Sequence, residues 1–136
     1  MTKQKNNKVL NVLLWVVQVA VTFMFIMAGL FKTNQPFEVM VETAPWVASV
    51  PLELVKFIGF CEFVGAVGLI LPSIFRIKPF LTIWAALGLG LLMSLAAVFH
   101  VYRGEFSAIG MNIFLMSLAF FIAWGRSKKV PIESKG

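Results

Sequence analysis

The chain has little of the side-chain chemistry on which most metal proteins and many enzymes depend. It contains one cysteine, Cys61, and one histidine, His100, among 136 residues. A single cysteine leaves no intramolecular disulfide, and the two residues lie too far apart in the sequence for a zinc-ligand spacing. The sequence also lacks a Walker loop, a Gly-x-Ser-x-Gly elbow and a dinucleotide-binding fingerprint. We expect no metal site, and electron transfer would require a bound organic cofactor or a partner subunit.

Charge is scarce as well, because 13% of the residues are charged whereas 60% are hydrophobic, and the mean hydropathy is +0.89. A soluble domain is typically about 25% charged. About 20 mostly apolar residues are enough to cross the hydrocarbon of a bilayer as a helix. The sequence therefore predicts an all-α membrane protein, a four-transmembrane-helix antiparallel bundle at residues 9–126. We expect spans at about residues 9–32, 52–72, 79–102 and 106–125, between polar tails at residues 1–8 and 127–136.

The basic residues predict how the bundle is oriented. Nine of the twelve lie in segments that four crossings would bring to one side: Lys3, Lys5, Lys8, Arg76, Lys78, Arg126, Lys128, Lys129 and Lys135. The positive-inside rule then predicts that both termini are cytoplasmic. A cleaved signal peptide is the alternative for the N-terminus, although the apolar run exceeds the usual 7–15 residues of such a peptide. The net charge of +6 does not indicate nucleic-acid binding, because the basic residues flank the spans. The expected partner is the lipid bilayer.

The longest connection, at residues 33–51, carries three prolines and Trp46. We expect a short interfacial helix within residues 37–43, with Trp46 as a head-group anchor. Pro72 is predicted to end the second span and Pro79 to begin the third.

A few polar residues inside the spans are the candidate site. An ionisable side chain within a span costs about 2.5–3.5 kcal/mol on insertion scales, so Glu62 is expected to face the interior and to have a partner. Lys32 and Gln18 belong to one polar stripe of the first span, His100 lies near the outer end of the third, and Asn112 lies in the fourth. These five residues are the candidate ligand-binding groups. The alternative is that the stripes are packing seams between helices.

Protonation decides what such a cluster can do. A glutamate and a histidine side by side can pass protons or form hydrogen bonds with a quinone head group. The alternative is a structural salt bridge or hydrogen bond that fixes the register of the helices. The sequence assigns no catalytic residue and therefore does not decide whether the protein is an enzyme. A stand-alone enzyme is the less favoured hypothesis.

Two segments resemble the DoxX-like membrane family: Ala-Gly-Leu-Phe-Lys at residues 28–32 and Ile-Gly-Phe-Cys-Glu-Phe-Val-Gly-Ala-Val-Gly-Leu-Ile-Leu-Pro at residues 58–72. The small-residue third span with His100, the fourth with Asn112 and the Gly125-Arg126 exit are similar too. The resemblance covers about residues 10–126. It implies a four-helix bundle of the bacterial plasma (inner) membrane, with Lys32, Glu62, His100 and Asn112 at the family's polar positions.

The family is associated with thiosulfate:quinone oxidoreduction, and relatives are linked to redox complexes and to quinone or electrophile stress. Animal relatives act in membrane-protein assembly. The resemblance implies an accessory component of a redox or detoxification system that binds a lipophilic ligand such as a quinone. The alternatives are a non-enzymatic membrane-protein assembly or interaction factor, and a transporter. A homo-oligomer or a membrane-protein partner is compatible with each, and a four-span transporter would require oligomers.

Overall fold

The computed structural model describes the backbone of residues 2–135 and the side chains of residues 7–135. Five α-helices follow one another: α1 (Thr2–Asn34), α2 (Phe37–Thr43), α3 (Leu52–Phe75), α4 (Phe80–Arg103) and α5 (Phe106–Trp124). A 3₁₀ helix, Pro45–Ser49, lies between α2 and α3, and a π-helical turn, Gly125–Lys129, continues α5. Residues 2–135 contain no strand. The predicted all-α class with four long apolar helices is confirmed.

Each of the four long helices is long and apolar enough to cross a membrane. The apolar segments run over Asn7–Asn34, Leu52–Phe75, Phe80–Arg103 and Phe106–Lys129. The shortest of them has 24 residues, which extend about 36 Å at about 1.5 Å per residue, more than the hydrocarbon thickness of about 30 Å. Large apolar side chains stay exposed along all four helices, as suits a surface that faces lipid tails.

The long helices form a ring in the order α1, α3, α4, α5. One contact from each neighbouring pair shows this order: Lys32 with Glu62, Gly65 with Leu89, Ser94 with Met116, and Gln18 with Arg126 in the turn that continues α5. Neighbours in the ring are antiparallel. The bundle therefore has a terminal end, with residues 2–8, the α3–α4 link and residues 127–135, and a loop end, with residues 35–51 and the α4–α5 turn.

Two glycines bring α1 and α3 into backbone contact. A Cβ atom added to Gly29 would lie 2.6 Å from the carbonyl oxygen of Gly59, and one added to Gly59 would lie 2.6 Å from the Cβ of Lys32. Small residues allow this approach in lipid, where packing rather than the hydrophobic effect holds helices together. The crossing places the side chain of Lys32 directly against α3.

The prediction that Pro72 ends the second span is wrong, because α3 continues through Pro72 to Phe75. A proline inside a helix removes one backbone hydrogen bond, here the one that the carbonyl of Gly68 would accept. Membrane helices tolerate this loss when neighbouring groups bond to the freed backbone region. Next to the freed carbonyl, Nε2 of Gln18 on α1 donates to Leu69 O at 2.8 Å.

The other boundaries differ by a few residues from those expected. The backbone is already helical at Thr2, within the segment predicted as a polar tail, and the helical course after α5 extends through Lys129. A short helix forms where one was predicted, as α2. Its buried Met40 packs with Val47 and Val55 into a small core at the loop end, so this connection lies folded against the bundle.

Candidate functional site

A cavity of about 560 Å³ lies in the loop-end half of the bundle. All four long helices contribute to its wall, and the segment around the 3₁₀ helix covers it with Trp46 and Val47. Most of the wall is apolar. Its polar side chains are Lys32, Glu62, His100 and Asn112, four of the five predicted site residues.

Lys32 and Glu62 form a partly buried ion pair on the wall of the cavity. The Nζ atom of Lys32 donates to both carboxylate oxygens of Glu62, at 3.0 and 2.9 Å. The Glu62 side chain is 2% exposed and that of Lys32 is 17% exposed. The partner expected for Glu62 is therefore Lys32. Such a pair adds little net stability, yet removing either partner is costly because the other charge stays buried.

Asn112 presents an amide group with unused hydrogen-bonding capacity. Its Nδ2 atom is fully buried, and no residue in the described part of the chain accepts a hydrogen bond from it. An unsatisfied buried donor costs about 1–3 kcal/mol. Because Asn112 lines the cavity, a ligand oxygen there can accept this bond. Thr22 Oγ1 is buried and unpaired among the described residues in the same way, but Thr22 does not line the cavity.

The position of His100 is fixed by contacts with residues at the loop end of the bundle. Its Nδ1 atom lies 3.1 Å from Oε1 of Glu105, and its ring packs edge-on against Trp46 and Phe99, with centroid distances of 6.2 and 5.5 Å. The glutamate–histidine pair considered from the sequence is not formed by Glu62. Glu62 pairs with Lys32, whereas His100 pairs with Glu105 in the α4–α5 turn.

Arg103 completes a clasp over the cavity, which consists of Arg103, Glu105, His100 and Ser49. Arg103 Nε donates to Glu105 Oε1 at 2.7 Å, and Nη1 donates to Ser49 Oγ in the 3₁₀ helix. The hydrogen bond from Arg103 holds the pKa of the Glu105 carboxyl below its usual value, and the one shared with His100 acts in the same direction. The clasp thus ties the covering segment to α4.

The cavity has a side opening between α3 and α4. Of the lining residues, Leu54 and Phe57 on α3 and Leu95 on α4 are also exposed on the outer surface, at 44%, 63% and 59%. The lining residues on α1 and in the covering segment are at most partly exposed. We call the gap bounded by these three side chains the lateral mouth.

Gln18, the fifth predicted site residue, does not line this cavity. It lies near the terminal end, where its Oε1 accepts a hydrogen bond from Arg126 Nε at 2.7 Å and its Nε2 reaches Ser73 Oγ at 3.3 Å. Ser73 in turn shares a 2.7 Å hydrogen bond with Thr82 of α4. Gln18 therefore belongs to a second network that joins the helices at the opposite end.

Arg126 is the main residue that the sequence interpretation missed, because it was taken as an orientation signal and as part of the family resemblance but not as a buried partner of other side chains. Its residue surface is 2% exposed. Nη1 donates to Asn11 Oδ1 at 2.7 Å and to Val130 O at 3.0 Å, and the guanidinium lies 5.2 Å from the centre of the Trp15 ring. The sequence signal was the polar stripe of α1, where Asn11 and Gln18 both required a partner.

The polar side chains of the cavity can form hydrogen bonds with an organic ligand. Within residues 7–135 no three His, Cys, Asp or Glu side chains are grouped so that they could hold a metal ion. The polar groups at the cavity are an ammonium, an amide, an imidazole and a carboxylate, of which the first two can donate to a carbonyl or hydroxyl oxygen.

Comparison with known proteins places the chain in one family. Residues 16–122 match the model of the DoxX-like family, and this confirms the resemblance noted in the sequence. Neither a curated protein nor a solved structure matches. The matched region includes parts of all four long apolar helices and the whole cavity. The protein is thus an integral, multi-pass membrane protein, and it belongs to the DoxX-like family.

Proposed function

We propose that this protein binds a lipophilic ligand with carbonyl oxygens, such as a quinone, in the loop-end cavity. It serves as an accessory component of a redox or detoxification system in the bacterial plasma membrane. The observation that carries this proposal is the buried, unpaired amide of Asn112 on the wall of an otherwise apolar cavity.

The size and chemistry of the cavity support this ligand class. A volume of about 560 Å³ falls within the range of about 300–1,000 Å³ that is usual for small-molecule sites. A quinone brings two acceptor oxygens and no donor, which complements the amide of Asn112 and the ammonium of Lys32. Glu62 is the group that accepts a hydrogen bond or proton from the reduced ligand, and Lys32 tunes its charge.

The side chains at the cavity supply hydrogen bonds and one proton acceptor. Electrons for any reduction then come from a partner. The proposal therefore gives the protein a binding role within a larger system rather than a stand-alone catalytic one.

A matched pair of variants tests the proposal. Asn112→Leu removes the unpaired amide at the cavity, and Thr22→Val removes an unpaired hydroxyl away from it. Ubiquinone and menaquinone binding to the purified protein in lipid nanodiscs is the measurement. We expect Asn112→Leu to raise Kd about 2- to 10-fold, the worth of one hydrogen bond, and Thr22→Val to leave Kd unchanged.

A third variant, Glu62→Gln, tests the proton acceptor. It should weaken binding of the reduced quinol more than binding of the quinone. The proposal is refuted if the unmodified protein shows no saturable binding, or if the Asn112 and Thr22 variants bind equally well.

The orientation forms part of the proposal: the terminal end faces the cytoplasm, and α2 lies at the outer membrane interface. Support comes from the nine basic residues of the terminal-end segments, which the positive-inside rule assigns to the cytoplasm. In a Cys61→Ala background, Ala48→Cys should react with an impermeant thiol reagent added to intact cells, whereas Ser127→Cys should not. The reverse pattern would invert the topology.

A second candidate function is that of a membrane-protein interaction factor. It is favoured by an apolar groove of about 630 Å³ on the outer face of α3 and α4, lined by Gly65, Gly68, Phe75 and Trp84. A helix of another membrane protein or of a second copy can pack against such small residues. Recovery of a stoichiometric protein partner, lost on Trp84→Ala substitution and without bound quinone, would favour this function over the first.

A further inference from the structure

Two of the four polar side chains of the cavity lie on the side opposite its opening. Lys32 belongs to α1 and Asn112 to α5, whereas the exposed lining residues Leu54, Phe57 and Leu95 belong to α3 and α4. In the ring order α1, α3, α4, α5, the α1–α5 side is opposite the α3–α4 side. A molecule in the cavity therefore meets hydrogen-bond donors at its inner end and lipid at its outer end.

Side chains close the cavity on the side that faces the loop end. Val47 above the cavity is 1% exposed, Trp46 packs edge-on against Phe99 and His100, and Arg103 bonds to Ser49 of the covering segment. Residues from the 3₁₀ helix and α4 thus close this side. Among the side chains of residues 7–135, none forms such a bond across the lateral mouth.

The position of the lateral mouth along α3 and α4 indicates which part of the membrane it faces. Phe57 is five residues after the start of α3, and Leu95 is eight residues before the end of α4. At about 1.5 Å per residue, these positions lie about 8 and 12 Å from the helix ends. Both distances place the mouth at the level of the hydrocarbon tails, since the helices exceed the hydrocarbon thickness by only a few ångströms.

We infer that the ligand is a single-tailed amphiphile, whose oxygen-bearing head lies against Lys32 and Asn112 and whose hydrocarbon tail leaves through the lateral mouth into the bilayer. This inference rests on the proposed function and specifies its ligand class and the route of access. The tail beyond the mouth stays in lipid in both the free and the bound state, so it gains nothing from the hydrophobic effect on binding. Within a membrane, affinity is therefore set by the head and the first tail unit.

The first test uses a quinone with a photoreactive diazirine on the first unit of its tail, bound to the protein in nanodiscs and mapped by mass spectrometry. We expect labels on Leu54, Phe57 or Leu95 that an excess of long-tailed ubiquinone competes away. Competable labels on Trp46 or Val50 would overturn the lateral route while leaving binding intact. Absence of any competable label would instead count against the proposed function itself.

The second test narrows the mouth. Leu95→Trp adds bulk at the mouth, and Leu91→Trp adds the same bulk one turn away on the same helix, at a position that does not line the cavity. The two leucines are 59% and 60% exposed, so both variants should fold alike.

Leu95→Trp should weaken binding of a long-tailed quinone about tenfold relative to Leu91→Trp, and should leave binding of a tail-less benzoquinone unchanged. Equal affinities of the two variants for the long-tailed quinone would refute the tail route. Loss of the tail-less quinone as well would show that the head site itself was disturbed, and would equally overturn the assignment of Leu95 to the mouth.

Discussion

The crossing of α1 and α3 gives a prediction that the structure makes quantitative. Gly29→Ala would place a methyl group 2.6 Å from the carbonyl oxygen of Gly59 and 3.0 Å from the backbone nitrogen of Phe63. Both neighbours are main-chain atoms of a helix, so neither can rotate away as a side chain would. The two helices must separate, and Lys32, less than one turn further along α1, would move with them.

The expected loss of stability in Gly29→Ala is best measured by comparison with Gly88→Ala. Both substitutions replace a glycine inside a helix, which in itself favours the helix by about 0.8–1.0 kcal/mol. A Cβ on Gly88 would meet no atom within 4 Å, so Gly88→Ala should retain this gain. Overpacking typically costs about 1–3 kcal/mol. Because the propensity gain is common to both, Gly29→Ala should be less stable than Gly88→Ala by about 1–3 kcal/mol.

The assay is reversible unfolding in bicelles, followed by tryptophan fluorescence at increasing denaturant, for both variants and the unmodified protein. Quinone binding is measured on the same samples, because displacement of Lys32 should also reduce affinity in Gly29→Ala. If the two alanine variants have the same free energy of unfolding, then α1 and α3 do not cross in backbone contact and the reasoning is wrong.

Three further predictions concern the charged groups. Lys32→Met should lower the free energy of unfolding by about 3–5 kcal/mol because it leaves a buried carboxylate unpaired, and adding Glu62→Leu should restore most of the loss, as thermal denaturation of both variants in detergent will show. Arg126→Lys should cost about 1.5–3 kcal/mol, since a lysine cannot replace the planar fork and at least one charge-assisted hydrogen bond is lost; unchanged denaturation would contradict this. The pKa of Glu105 is lowered from 4.5 by the bond from Arg103, so the clasp should contribute stability above pH 4.5 and lose it as the pH falls through the lowered pKa. The melting temperature of Glu105→Gln should lie below that of the unmodified protein at pH 7, and the two should converge in acid.

The pairing of Lys32 with Glu62 could be predicted from the sequence. The cost of a carboxylate in a span requires a compensating group, and Lys32 is the basic residue on the polar stripe of the first span. Gln18 shows the limit of the same argument, because a stripe defines a helix face and not a shared site. Gln18 precedes Lys32 by 14 residues, about 21 Å along the helix axis, so the two residues serve opposite ends of the bundle.

Other features depend on local geometry that periodicity does not encode. The pairing of His100 with Glu105 requires the chain to reverse at Gly104, which adopts a left-handed conformation with φ of 74°. Burial of Arg126 depends on the π-helical turn that follows α5, because a wider turn changes the direction in which later side chains point. Neither the turn nor the inward guanidinium follows from a pattern of apolar residues.

The network around Arg126 has a consequence for biosynthesis. Arg126 joins Asn11 and Gln18 across separations of 115 and 108 residues. A chain is made from its N-terminus, so the first helix enters the bilayer long before its guanidinium partner has been translated. Until then the side-chain oxygens of Asn11 and Gln18 lack that donor, and a nascent chain halted after the third crossing carries both oxygens in the bilayer without it. The last span thus supplies the partner that fixes the first span in the bundle. A truncated chain lacks this partner, and proteases that recognise unpaired polar groups in a membrane would encounter it in that state.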